Sequence, residues 1–261
     1  MSVLHDERLR TVRWRDLARL SLTEKIIENS ITLPWFAASL ILAGRHLYFL
    51  AAPCSFLFFL TGLRQAHNGF HHALGISRMG TWLTLFENSV LMMTAMHAVK
   101  YNHLRHHKYC LQDDDVEGSW ARMKPLKAMF YGPAFIWRQH AFALRNGGKA
   151  TRRAIVIELS AMGLFTLIAF GFSIRVLEYH IIAMTIGELF SGFFAVWTVH
   201  HDCDEQVFAR SLSPRWKNFF TYNMFYHLEH HLFPGVPTIK LPKLAMRLRE
   251  KLPDLKIKEV F

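Results

Sequence analysis

Cysteine is scarce in this 261-residue chain: Cys54, Cys110 and Cys203 stand far apart and form no CxxC pair. That excludes a disulfide framework and equally an iron–sulfur or rubredoxin-type centre, which needs clustered thiolates. Acidic residues are also few, 20 Asp and Glu against 31 Lys and Arg, which leaves a formal net charge of +11. Such a charge is the footprint of phosphate binding. No nucleic-acid module accompanies it, however, and the basic residues flank apolar segments, where they act on membrane orientation; nucleic acid is therefore not an expected partner. HExxH, a cytochrome b5-like haem motif and a flavin fingerprint are all missing, as are internal repeats and low-complexity tracts. The N-terminal MSVLHDERLRTVRWRDLARL is charged and amphipathic without the apolar core of a cleavable signal, so it is expected to stay attached on the cytoplasmic side.

What the chain does contain is apolar. Hydrophobic residues make up 51%, with 22 Phe and 7 Trp, and mean hydropathy is +0.12. The charged fraction of 20% lies below that of ordinary soluble domains. A helix needs about 20 mostly apolar residues to cross a bilayer. Four segments approach this, at about 27–44, 47–63, 154–173 and 176–198. The short links inside each pair predict two helical hairpins. Placed facing outward, those links leave Arg45 and Arg175 as the outer basic residues and put every other Lys and Arg on one side, as the positive-inside bias requires. The expectation is an all-α membrane protein of four transmembrane helices in two hairpins, with both termini cytoplasmic. A cytoplasmic helical cap is formed by 64–153 and 199–261, and the whole chain 1–261 is one domain. The stretch WLTLFENSVLMMTAM, carrying Glu87 and Asn88, reads as an amphipathic surface helix or a re-entrant piece.

Histidine is concentrated in this cap. HNGFHH runs from His67 to His72, HLRHH from His103 to His107, and FYHLEHHLFP from Phe225 to Pro234, while His200 and His201 follow the last apolar segment. Positions i, i+3 and i+4 share one helical face, so each run can direct two or three imidazoles into a common space. Isolated histidines such as His5, His46, His97, His140 and His180 read as ordinary surface or packing residues. The clusters do not, because unrelated surface faces have no reason to repeat one spacing on one side of a membrane. The best-placed residues are His67, His71, His103, His106, His107, His201, His227, His230 and His231, with His72 and His200 as neighbours that bind directly or orient the shell. Nine imidazoles exceed what one ion takes, which points to two metals. Ligand type alone does not name the element. The surplus of ligands favours a pair of redox metals that bind oxygen between them.

Boxes of the form HxxxHH, HxxHH and HxxHH, in that order around two apolar hairpins, resemble the integral-membrane fatty acid desaturase and hydroxylase superfamily, and HLEHHLFPGVP resembles its bacterial desaturase branch. The resemblance spans roughly Leu47 to Leu241. It implies a di-iron centre of two Fe ions with O2 as co-substrate, electrons from an external donor of the ferredoxin, rubredoxin or cytochrome b5 type, and removal of hydrogen from a lipid or acyl substrate. By motif, His67 and His71 belong to the first box, His103, His106 and His107 to the second, and His227, His230 and His231 to the third. His201 matches the further ligand beyond the last helix, although Trp197 stands where some members carry asparagine. The implied location is the membrane, in a bacterium the inner membrane, with a cytoplasmic active site. A hydroxylase or ketolase of the same superfamily, acting on a fatty acid, alkane, carotenoid or small metabolite, shares the boxes. A zinc-dependent membrane hydrolase is disfavoured by the missing HExxH, and a metal transporter by ligands gathered at one end of the helices.

Among acidic residues, Glu229, Asp202 and Asp204 are candidates to orient metal-bound imidazoles, whereas Asp113 to Asp115 read as a solvated turn. Glu158 and Glu188 lie inside apolar segments and should face the bundle interior, since an exposed mid-bilayer carboxylate costs about 3 kcal/mol. Phe56, Phe58, Phe59, Phe190, Phe193 and Phe194 are candidates to line a slot opening toward the cap. The basic stretches RWK (215–217) and KLAMRLREKL (243–252) suit an acidic donor protein.

Overall fold

The computed structural model describes residues 3–204 and 206–260. The chain is mostly helical. A two-residue parallel pair, β1 (Arg210–Ser211) with β2 (Lys258–Glu259), is the one addition to the all-α expectation among the described residues. After short 3-10 turns at Val3–His5 and Glu7–Thr11 come α1 (Leu22–Ser30), α2 (Leu33–Gly44), α3 (Tyr48–Phe70), α4 (Arg78–Met92), α5 (Met96–Tyr109), α6 (Pro125–Phe130), α7 (Gly132–Asn146), α8 (Lys149–Gly171) and α9 (Arg175–Leu189). A π-helical turn, Phe193–Trp197, leads into α10 (Thr198–His200), and α11 (Arg215–Phe220), α12 (His227–Leu232) and α13 (Leu241–Lys251) complete the chain.

Three helical stretches are long and apolar enough to cross a membrane: Leu22–Gly44, Tyr48–Phe70 and Lys149–Gly171. The fourth candidate is Arg175–Leu189 with Phe193–His200, two pieces bent by 43° rather than one straight helix over 176–198. The π turn accounts for the bend, because i→i+5 bonding widens the helix and displaces its next turn. Gly192 allows close packing here, since a Cβ would come within 3.0 Å of Phe135 and Trp120. Large apolar side chains on these segments point outward, among them Phe49, Leu164, Leu167 and Phe170, as a lipid-facing surface does.

Two boundaries differ instructively from the hydropathy pattern. The first stretch begins at Leu22, five residues earlier than apolarity suggests, because Ser21 caps it: its hydroxyl accepts from the Glu24 N–H at 3.3 Å while Glu24 accepts from the Ser21 N–H at 2.8 Å. The second continues seven residues beyond 63 through the polar sequence RQAHNGF. The side chains of Arg64, Gln65 and Asn68 are buried and tied into one network. Arg64 pairs with Glu28, Asn68 donates to Glu28 at 2.8 Å, and the Gln65 amide donates to the Glu28 and Asn29 carbonyls at 3.2 and 3.0 Å. Asn88 of α4 donates to Gln65 at 3.0 Å. The Thr238 N–H and hydroxyl donate to Asn68 at 3.1 and 2.7 Å. The buried Glu28 carboxylate, with the Glu28 and Asn29 carbonyls, thus anchors a network that joins α1, α3, α4 and the C-terminal tail.

The α4 helix is amphipathic as its sequence suggests, yet it is built into the bundle, in contact with α3, α5, α8 and α9. Leu85 and Met92 join Phe58, Phe70, Met96 and Met184 in a common core, while Leu83 and Glu87 remain exposed. Glu158 faces inward and accepts from His97 Nδ1 at 2.5 Å and the His97 N–H at 3.1 Å. The N-terminal segment is clasped to α13 and the tail by Arg247–Asp16 and Arg8–Asp254 pairs, both at 2.7 Å. Around them Val12, Leu17, Tyr226, Leu244 and Leu248 form a second core.

Removing one partner of a buried ion pair strands the other, at about 3–5 kcal/mol. Glu28→Ala should therefore lower the thermal unfolding temperature in detergent sharply, and Glu28→Ala combined with Arg64→Met should recover part of the loss.

Candidate metal centre

The three boxes reach one place by different routes. His67 lies in the last turn of α3 and His71 caps it. His103, His106 and His107 ride on α5, with His103 and His106 buried. His227, His230 and His231 occupy the single turn-and-a-half of α12 and are all buried. That short helix is anchored from below by Ser211, whose hydroxyl donates to Glu229 and accepts from the Leu228 N–H at 3.3 Å.

The imidazoles form two groups. In the first, Nε2 of His103 lies 3.0 Å from that of His71 and 3.1 Å from that of His107, which is 2.9 Å from that of His230. His67 completes it, its ring 4.0 Å from His230 and its buried Nε2 without a hydrogen-bond partner. In the second, the Nε2 atoms of His106, His200, His227 and His231 form a closed ring, with successive separations of 3.0, 2.9, 3.2 and 3.3 Å. Cys110 Sγ stands 4.0 Å from His106 Nε2 at its edge. The rings of His107 and His231 stack 4.2 Å apart and join the groups.

The donor chemistry fits metal ions. His200 Nδ1 donates to the Phe208 carbonyl at 2.8 Å, so in neutral His200 the Nε2 carries a lone pair, yet it faces two other Nε2 atoms. His103 Nδ1 is engaged by Glu117 at 3.0 Å and His106 Nδ1 by Asp115 at 2.7 Å. Lone pairs so arranged repel unless a cation sits among them. Nitrogens bound to a metal at about 2.0–2.1 Å, the distance for zinc, lie about 2.9–3.4 Å from one another between octahedral and tetrahedral angles. The observed spacings fall in that range.

Burial keeps the shell in its ligand form. Loss of hydration holds His71, His103, His107, His227, His230 and His231 well below the usual imidazole range, that is, neutral. His106 departs from this: burial opposes its charge most strongly, but the Asp115 carboxylate, Cys110 and Glu117 together outweigh it and favour a cation at this ring. Asp115 is itself held by the N–H groups of Leu111 and Gly118 at 2.9 and 2.8 Å. Burial pushes Glu117 up to about 7.

Of the nine histidines singled out by spacing, His67, His71, His103, His106, His107, His227, His230 and His231 come together. His201 does not. Its ring stacks on Trp197 at 4.1 Å and its Nδ1 meets the Trp197 carbonyl at 2.9 Å. His200 takes the inward position, because the π turn advances the helical face by one residue. Trp197 stays out of the centre as well, donating from Nε1 to the Met123 carbonyl at 2.9 Å. His72 has a positive φ of 55° and points to the exterior. The carboxylates also differ from expectation: Asp202 and Asp204 pair with Arg210 and Lys258, and Glu229 serves Ser211. The carboxylates in contact with the imidazoles of this centre are Asp115, which reads in sequence as part of a solvated turn, and Glu117. Their position in DDDVEG, separated from the second box by five residues, is the signal that could have found them.

A model of the fatty acid desaturase family matches residues 40–260. No curated protein matches the chain.

Replacing His200 with Ala should abolish binding at the second group, whereas His201→Ala should leave metal content near that of the unaltered protein; elemental analysis of both purified variants decides. Asp115→Asn, which unfixes the His106 ring, should weaken metal affinity about 10–100-fold in a chelator competition.

Proposed function

Because the chain belongs to the fatty acid desaturase family, we propose that it is an O2-dependent di-iron oxidoreductase that introduces a double bond into a membrane acyl chain. The carrying observation is the pair of adjacent imidazole groups. His67, His71, His103, His107 and His230 would hold one iron, and His106, His200, His227 and His231 the other. When bound, the irons supply the redox chemistry that activates O2 toward an unactivated C–H bond. The remaining work falls to the chain itself. Asp115, the Phe208 carbonyl and Glu117 fix ring orientation at His106, His200 and His103, and the apolar wall of Leu63, Phe70, Val99 and Phe194 excludes water from the face where substrate would lie.

In this reading α2 with α3 and α8 with α9 are two membrane hairpins. The remainder is a cap on the cytoplasmic side of a bacterial inner membrane, and the whole chain acts as one domain. Electrons come from a ferredoxin, rubredoxin or cytochrome b5 type of protein, since the chain carries no redox motif of its own. The exposed basic residues of α13 favour an acidic partner surface. A hydroxylase would use the same centre.

Expression in a lipid-producing host followed by lipid mass spectrometry tests the proposal. Loss of two hydrogens from a host acyl chain is expected, dependent on O2 and abolished in His230→Ala. A gain of one oxygen would reassign the protein as a hydroxylase. Unchanged activity in both His106→Ala and His230→Ala would remove the metal from the mechanism.

A further inference from the structure

Two cavities meet at one side chain. The larger, about 510 Å3, lies between α3 and α9 and is lined almost wholly by apolar groups. It extends from Tyr179 to Phe190, about 16 Å along the α9 axis at 1.5 Å per residue. Three of its wall residues, Phe56, Ile182 and Ile186, are about half exposed, at 47%, 53% and 51%, on helices apolar enough to span a membrane. The cleft therefore opens sideways, toward lipid. The smaller cavity, about 80 Å3, lies against His67, His103, His227 and His230. Phe194 lines both.

Phe194 belongs to the π turn, and its ring rests on Phe56 at 5.8 Å and on Phe193 at 5.5 Å. A π turn is held by fewer ideal backbone bonds than an α turn and is often found at functional positions. Here it places one aromatic ring at the junction of a lipid-open cleft and the imidazole face. The sequence suggests a slot held by the apolar helices and opening toward the cap; of its six candidate phenylalanines Phe56, Phe59, Phe190 and Phe194 line the larger cleft, which opens sideways. The structure has its large apolar space within the membrane-spanning helices.

We propose that the substrate reaches the imidazole face from the lipid phase through the α3–α9 cleft, past Phe194 as the gate, and is therefore an apolar chain dissolved in the bilayer rather than one delivered by a soluble carrier. This rests on the reading of the protein as a lipid oxidase. Phe194 acts by steric control: its ring sets how far, and with which carbon foremost, a chain advances into the smaller cavity. The Ser39, Ser55 and Tyr179 hydroxyls, linked at 2.8 and 2.9 Å, mark the far end of the cleft and fix α2, α3 and α9 around it.

The test uses the full chain, loaded with iron, in vesicles of saturated diacyl phospholipid with reduced ferredoxin supplied. The same acyl chain offered as a water-soluble thioester forms the second arm. Phe194→Trp should lower turnover of the bilayer chain at least tenfold with iron content and unfolding temperature unchanged, Phe194→Ala should shift the oxidised position along the chain, and Phe172→Trp, at an exposed position that lines neither cavity, should do neither. If Phe194→Trp loses iron, the product position in Phe194→Ala decides alone. Turnover confined to the soluble thioester, or a Phe194→Trp rate within twofold of the unaltered protein together with an unshifted Phe194→Ala product, overturns the gate. An unaltered, iron-loaded protein inert in both arms removes the lipid-oxidase reading, and the gate with it.

Discussion

Imidazole nitrogens held about 3 Å apart with their lone pairs facing are the constraint on which the rest of the structure depends. Nothing local favours this. Each ring gives up its hydration on burial, and neighbouring rings repel any proton that one of them takes up. The arrangement persists because helices from distant parts of the chain are fixed independently and brought to one point, so that the cost is met by packing and by hydrogen bonds outside the cluster. A cation placed among the nitrogens converts that repulsion into attraction, which is why the same geometry that is unfavourable for the protein alone is favourable for a metal.

The supports are polar and lie on the far side of each ring. Asp115 and Glu117 descend from the loop after α5 and turn back on the helix that precedes them, so the second box carries its own orienting groups within fifteen residues. The first box is held differently, through Glu28 and the buried amides of α3. The third depends on Ser211 and on the tail packed beneath α12. Three boxes of similar sequence are thus positioned by three unrelated devices.

Much of this was legible in the sequence, for a physical reason in each case. Helical spacing brought eight of the histidines to their faces, because i, i+3 and i+4 are properties of the helix itself. Hydropathy located the long apolar helices, since lipid exposure leaves its mark on composition. What could not be read were departures from regular periodicity and contacts set by tertiary structure. The exchange of His201 for His200 comes from one extra residue in a π turn, which leaves no compositional trace. The polar end of α3 reads as part of the cap rather than of the apolar helix before it, because Arg64, Gln65 and Asn68 become acceptable in a continuous buried helix only once Glu28 is placed beside them. Asp115 looked solvated for the same reason: its partner lies one helix away in space.

The Glu28 network also has a consequence for how the chain is made. Glu28 and Arg64 are 36 positions apart, and both exist before the second half of the protein has left the ribosome, so the two opposite charges can neutralise each other while the first helices enter the lipid. The hydroxyl of Thr238 reaches Asn68 across 170 positions and arrives much later in synthesis. The nascent chain can therefore pair these two charges early and leaves only the contact of a neutral amide for later.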